Sequence, residues 1–202
     1  MPVVFQRALT TTGEETYVNR DGDGDVDGDG DWERRSAAAW ESIDAHGEEE
    51  FRALIDGLAD ELPPGSPVAA FERACAFDST GHPDRAVPLY REALKGTLPG
   101  ERRRRAVIQL ASSLRNLGQQ DESIALLTAE LDAGSDHLDD AVRATLALAL
   151  TDVGREREAV SLAVGALARH LPRYQRSMAN YARLLVEPGP AEPGSSHSPK
   201  QV

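Results

Sequence analysis

The stretch at residues 21–31, DGDGDVDGDGD, has the residue types of a cation-binding loop, with six Asp and four Gly around one Val. A calcium loop of the EF-hand type needs oxygen ligands at positions one, three and five, Gly at six and a bidentate Glu at twelve. Counted from Asp23, the pattern runs through Asp25, Asp27 and Gly28 but puts Arg34 at position twelve. Counted from Asp25, it puts Gly30 at six and Ser36 at twelve. Neither frame closes the coordination sphere, and the preceding TTTGEETYVNR lacks the apolar period of an entering helix. Alternating Asp and Gly combines dense charge with high backbone entropy and offers nothing to bury. The sequence therefore predicts a disordered acidic arm over 1–31. Eight acidic residues against Arg7 and Arg20 give it a net charge of −6, half of the −12 of the whole chain.

Other candidates for chemistry are scattered. His46, His82, His137, His170 and His197 form no pair at helical spacing, and the first two flank glycines, as turn residues do. Cys75 stands between Ala74 and Ala76 with no base beside it in sequence, so it reads as a small packing residue. No phosphate-binding glycine loop is present, and the carboxylates of 21–31 would repel phosphate. Asp139 and Asp140 open a helix, where negative charge is favoured. ERRRR at 101–105 is the exception: it places four Arg at a helix start, the end that disfavours cations. Such arginines need an acidic partner, or they serve contact. An RNA patch is the sharper alternative, but no aromatic is interleaved to stack a base. No catalytic constellation, cofactor site or metal site is expected.

The elements that position these residues follow from composition and repeats. A chain of 202 residues with 40% hydrophobic content suits one domain with tails. Its net acidity argues against a nucleic-acid partner. With no run of about 18 apolar residues and no leader-like start, neither a membrane span nor export is expected. A single cysteine allows no internal disulfide, and the cytoplasm is the expected compartment. All basic residues but Lys95 and Lys200 are Arg, a bias that suggests a GC-rich bacterial genome.

Three stretches align without gaps: FDSTGHPDRAVPLYREAL (77–94), LRNLGQQDESIALLTAEL (114–131) and LTDVGREREAVSLAVGAL (150–167). Each carries a Gly (Gly81, Gly118, Gly154), an apolar residue four before it (Phe77, Leu114, Leu150) and Ala seven before it (Ala74, Ala111, Ala147). A small residue follows at five (Ala86, Ser123, Ala159) and Leu at thirteen (Leu94, Leu131, Leu167). This is the pattern of a helical hairpin repeated along an axis. The Gly ends the first helix in a left-handed conformation, and small residues let the two helices approach. One hairpin cannot bury its stripe alone, so such units come in arrays. Weaker copies centre on Gly47, with Trp40 and Ile43 at the matching offsets, and on Gly189, with Ala182 and Leu185. The expectation is an all-α solenoid of four hairpins plus a closing helix at about 172–186. The repeat domain covers 32–187, and a disordered Pro-, Gly- and Ser-rich tail covers 188–202.

On these residues the chain resembles the tetratricopeptide repeat family. With Gly81 at the family's position fifteen, Ala74, Phe77, Ala86, Tyr90, Ala93 and Leu94 fall on its small, aromatic and Ala-Leu positions. The second and third units keep the frame with Leu127 and Ala163 in place of Tyr90, and Glu130 stands where Ala is usual. The resemblance implies a non-catalytic module that holds a protein or peptide in a concave groove lined by the first helices of the hairpins. Carrying over the family's groove positions gives Arg105, Ile108, Ser112, Arg115 and Asn116 on the unit framed by Gly118. Arg176 and Arg183 follow on the closing helix. Four Arg on one surface favour an acidic partner, and the arm's own Asp residues would compete for it. The competing class is a helical enzyme, or an enzyme's regulatory subunit, with an unrecognised active site. A deep pocket with converging titratable groups would mark it.

Overall fold

Three turns built alike carry the repeat into the computed structural model, which describes residues 26–187. Gly81, Gly118 and Gly154 all hold left-handed backbone, with φ of 79°, 77° and 74°. In each turn the amide after the Gly donates to the carbonyl of the apolar residue four before it: His82 to Phe77, Gln119 to Leu114 and Arg155 to Leu150, all at 2.9 Å. The Gly amide itself donates to the carbonyl three back, on Asp78, Arg115 or Thr151. These paired bonds close a helix end by satisfying carbonyls that would otherwise be orphaned.

The described residues contain nine α-helices and no strand. They are α1 (Val26–Glu41), α2 (Glu48–Asp60), α3 (Pro67–Ser79), α4 (Pro83–Ala93), α5 (Arg102–Asn116), α6 (Gln120–Ala133), α7 (Asp139–Asp152), α8 (Glu156–Ala168) and α9 (Gln175–Leu184), with a short 3-10 turn at Ile43–Ala45. The chain divides after Gln119 into two compact units, so the division falls between α5 and α6.

In the first unit, α3 and α4 form the closest hairpin. Ala74, Ala86 and Ala93 have no exposed surface there, and Tyr90 is fully enclosed with Phe71, ring centroids 6.3 Å apart. Ser66 caps α3 through the Ala69 amide, and Pro67 and Pro83 stand in the first turns of their helices, where a missing amide costs nothing. The hairpin of α1 and α2 is built differently. Gly47, read as an equivalent of Gly81, has φ of −68° and caps the start of α2, because α1 ends at Glu41 and the 3-10 turn fills the interval. Trp40, which stands where the other hairpins have Ala, packs edge-on against Phe51 at 5.1 Å. Phe51, Ile55, Leu58, Ala39 and Ala76 complete that core.

Helix α1 also starts earlier than the boundary expected at 32, taking in residues 26–31. Within this extension Asp31 pairs with Arg34 at 2.9 Å and Arg35 at 3.0 Å, one turn on. Residues 1–25 and 188–202 lie outside the described residues, and with them most of the expected arm, the expected tail and Gly189.

In the second unit, α6 packs on α7, α7 on α8 and α8 on α9. Ala147, Ala159, Ala166 and Val142 are buried between them. No helix of the described residues is long and apolar enough to cross a membrane.

Candidate ligand-binding faces

Of the four arginines at the start of α5, Arg102 finds acidic partners far off in sequence. Arg102 donates to both oxygens of Glu33 on α1, at 2.8 and 2.6 Å, and through Nε to Glu72 on α3 at 3.2 Å. Its guanidinium also lies 5.8 Å from the Trp32 ring. Glu72 is buried, and its second oxygen accepts Trp40 Nε1 at 2.8 Å. One cation thus ties α1, α3 and α5 together. Arg104 is buried, and Arg105 lies over Phe71 at 5.4 Å.

Of the groove positions on α5, Ile108 and Ser112 are each only 7% exposed, so they pack rather than present themselves. Arg105 and Arg115 are half-buried, and Asn116 is exposed. The corresponding α3 positions are closed as well, since Phe71 and Cys75 are buried. In the second unit, Arg176 and Arg183 are exposed on α9, and Arg183 is engaged locally with Glu187 and with Asn180 Oδ1. These two arginines and the α5 set belong to separate units.

The open face lies on α7. The same frame, applied from Gly154, gives Ala141, Ala144, Leu148, Thr151 and Asp152, and every one is exposed. No charge marks these residues in the sequence except Asp152. The available signal was Leu148, a large apolar residue on the arc that faces away from the helix partner.

Several other titratable groups make structural contacts. Cys75 is 2% exposed and donates to Gln109 Oε1 at 3.3 Å; burial, with the Glu72 charge nearby, raises its pKa and keeps it a thiol. Asp78 accepts Ser113 Oγ at 2.8 Å and the Tyr90 hydroxyl at 3.4 Å. Burial pushes its carboxyl above the usual range despite these bonds. His46 lies 3.3 Å from Glu50, His82 caps α4 and meets Phe77 edge-on, and His170 lies 2.9 Å from Asp140. A depression of about 620 Å³ between α1 and α2 holds Arg35 and Glu61, which pair with each other, and another of about 300 Å³ holds Asp60 and Arg73, likewise paired.

Helical hairpins with a common Gly turn, small residues at their crossings and a presented first-helix arc define an α-helical repeat protein. A family model described as tetratrico peptide repeat matches residues 67–185, which spans α3 to α9. The chain belongs to the tetratricopeptide repeat family. No curated protein and no solved structure matches it.

Proposed function

We propose that the protein is a non-catalytic interaction module that holds a peptide segment of a partner protein against the first-helix face of its second unit. The observation that carries this reading is the exposed arc of α7, where Ala141, Ala144 and Leu148 offer a shallow apolar floor at the positions the family uses for ligands. Arg176 and Arg183 on α9 supply cations for carboxylates, and Arg105, Arg115 and Asn116 offer a further polar patch on α5. The ligand of best fit is an acidic peptide with interspersed apolar side chains: small side chains accept its apolar contacts, and guanidinium groups pair carboxylates in bidentate fashion. A net charge of −12 favours protein over nucleic acid. A bacterial cytoplasm suits a protein whose one cysteine is a buried thiol.

Fluorescence anisotropy with a labelled Glu- and Leu-rich peptide tests the proposal. Binding should weaken about tenfold in Leu148→Asp and in the pair Arg176→Glu with Arg183→Glu, and it should fall with salt because the pairs lie at the surface. Unchanged affinity in both variants would overturn it.

A further inference from the structure

A second face of the same unit is mainly apolar. Residues 159–168 of α8, AVSLAVGALA, contain no ionisable side chain, yet Val160 is 49% and Leu167 53% exposed, and Ala163 is exposed between them. On α9, Tyr181 is 61% exposed, and Tyr174 and Leu184 are exposed as well. Half of the large apolar residues exposed among the described residues lie on these two helices and their connection. A contiguous apolar patch of this kind marks an interaction surface.

The contacts between the two helices show that the stripes join. Ser161 Oγ donates to the Ala182 carbonyl at 2.7 Å and Arg157 Nε to the Leu185 carbonyl at 3.2 Å, so α8 and α9 run antiparallel. At 100° per residue, Val160, Val164 and Leu167 lie on one side of the α8 contact line, and Tyr174 and Tyr181 fall on the same side of α9. Helix α7 packs on the opposite side of α8, which is also the side toward which Arg176 and Arg183 turn. The apolar side is where a further helix of the repeat would pack, and the sequence of residues 188–202 carries four Pro and no large apolar side chain before Val202.

We infer that this face is closed by a second copy of the chain, with α8 packing antiparallel on α8 of the partner subunit about a two-fold axis at Ala163 and Val164. Three observations select that occupant. Val160 and Leu167 are both exposed on one side of α8, two turns apart, so a two-fold axis between Ala163 and Val164 sets each against the other in the partner subunit. Ala163 at the axis lets the helices approach closely. On a chain of net charge −12, two copies meet here without bringing like charges together, because residues 159–168 are uncharged. Tyr174 adds its ring at the edge. It is the only non-Gly residue with positive φ among those described, at 68°, a conformation that Gly or Asn would adopt at lower cost. Two helices side by side, about 20 Å and about 15 Å long and each about 10 Å wide, present a small face, so association in the range of about 10 µM is expected.

Sedimentation velocity of the full chain from about 1 to 100 µM reads the result. The average mass should rise from near that of the monomer toward that of the dimer across that range, and Val160→Glu with Leu167→Glu should stay monomeric with an unchanged circular dichroism spectrum, since both positions are exposed. Leu54→Glu, an exposed change on α2, should dimerise like the wild type. Under mild oxidation Ala163→Cys should form a covalent dimer, while the wild type, whose Cys75 is buried, should not. A monomer at every concentration would overturn the inference, whether the face is bare or covered by another segment such as residues 3–9. A dimer that survives the double substitution, or one that Ala163→Cys fails to cross-link, would place the interface elsewhere and overturn it too.

Discussion

Glu72 shows how much a single buried carboxylate can organise. With its side chain 6% exposed, it is held by Trp40 and Arg102, and Arg102 also reaches Glu33. Arg102→Ala leaves that charge without its cation and should cost about 2 kcal/mol in urea melts. Glu72→Gln keeps an acceptor for Trp40 and should cost less. Arg35→Ala, in an exposed network with Asp31 and Glu61, should melt close to the wild type. Asp78 gives the pH dependence. Its folded pKa is raised by burial, so between that value and the ordinary carboxylate range the native state binds more protons than the unfolded state, and stability falls as pH rises. Tyr90 and Cys75 beside it are raised too and stay protonated there. Asp78→Asn retains an acceptor but not the titration. The melting temperature of the wild type minus that of the variant should therefore grow as pH is lowered from 7 toward 4. A constant difference would mean that Asp78 titrates normally.

Helix ends and crossings make the next set of predictions. Gly154→Ala meets no atom within 4 Å of the new Cβ, so its cost is that of left-handed backbone alone, about 1 kcal/mol. Gly57→Ala also meets nothing, but it lies inside α2, where Ala is the better helix former, and should stabilise by about 0.5–1 kcal/mol. Two glycines in similarly open space should thus respond with opposite sign. Ala147→Leu inserts volume into the buried side of α7 and should cost about 1–3 kcal/mol, whereas Ala144→Leu, on the exposed arc of the same helix, should change little. Equal melting temperatures for the last two would show that the register of α7 is wrong.

At the scale of the whole molecule, the start of α1 at Val26 sets where the acidic segment can be cut. A truncation at 31 would remove Asp31 and its pairs with Arg34 and Arg35; one at 25 leaves the helix intact. Residues 1–25 carry five acidic residues against Arg7 and Arg20. If they compete for the arginines of the binding faces, their removal should raise affinity for the acidic peptide, and salt should diminish the gain. No gain would show that they do not compete.

The sequence alone determined the repeat: Gly81, Gly118 and Gly154, with apolar and small residues at fixed offsets, announce helix ends and helix crossings because those are local events governed by backbone sterics and side-chain size. It also determined the family, since the same letters fall on the family's positions. Three matters were decided only by tertiary structure. Arg102 is compensated by residues 69 and 30 positions away, a pairing that no local spacing encodes. Gly47 and Trp40 kept the offsets of a repeat but lost its turn, because a bulky ring packed on Phe51 fills the place where Ala would sit. Which residues of a helix face solvent depends on what packs beside it. The same family positions are closed by Phe71 and Cys75 on α3, half-closed on α5 and open on α7, although each helix offers a comparable pattern of small and apolar side chains.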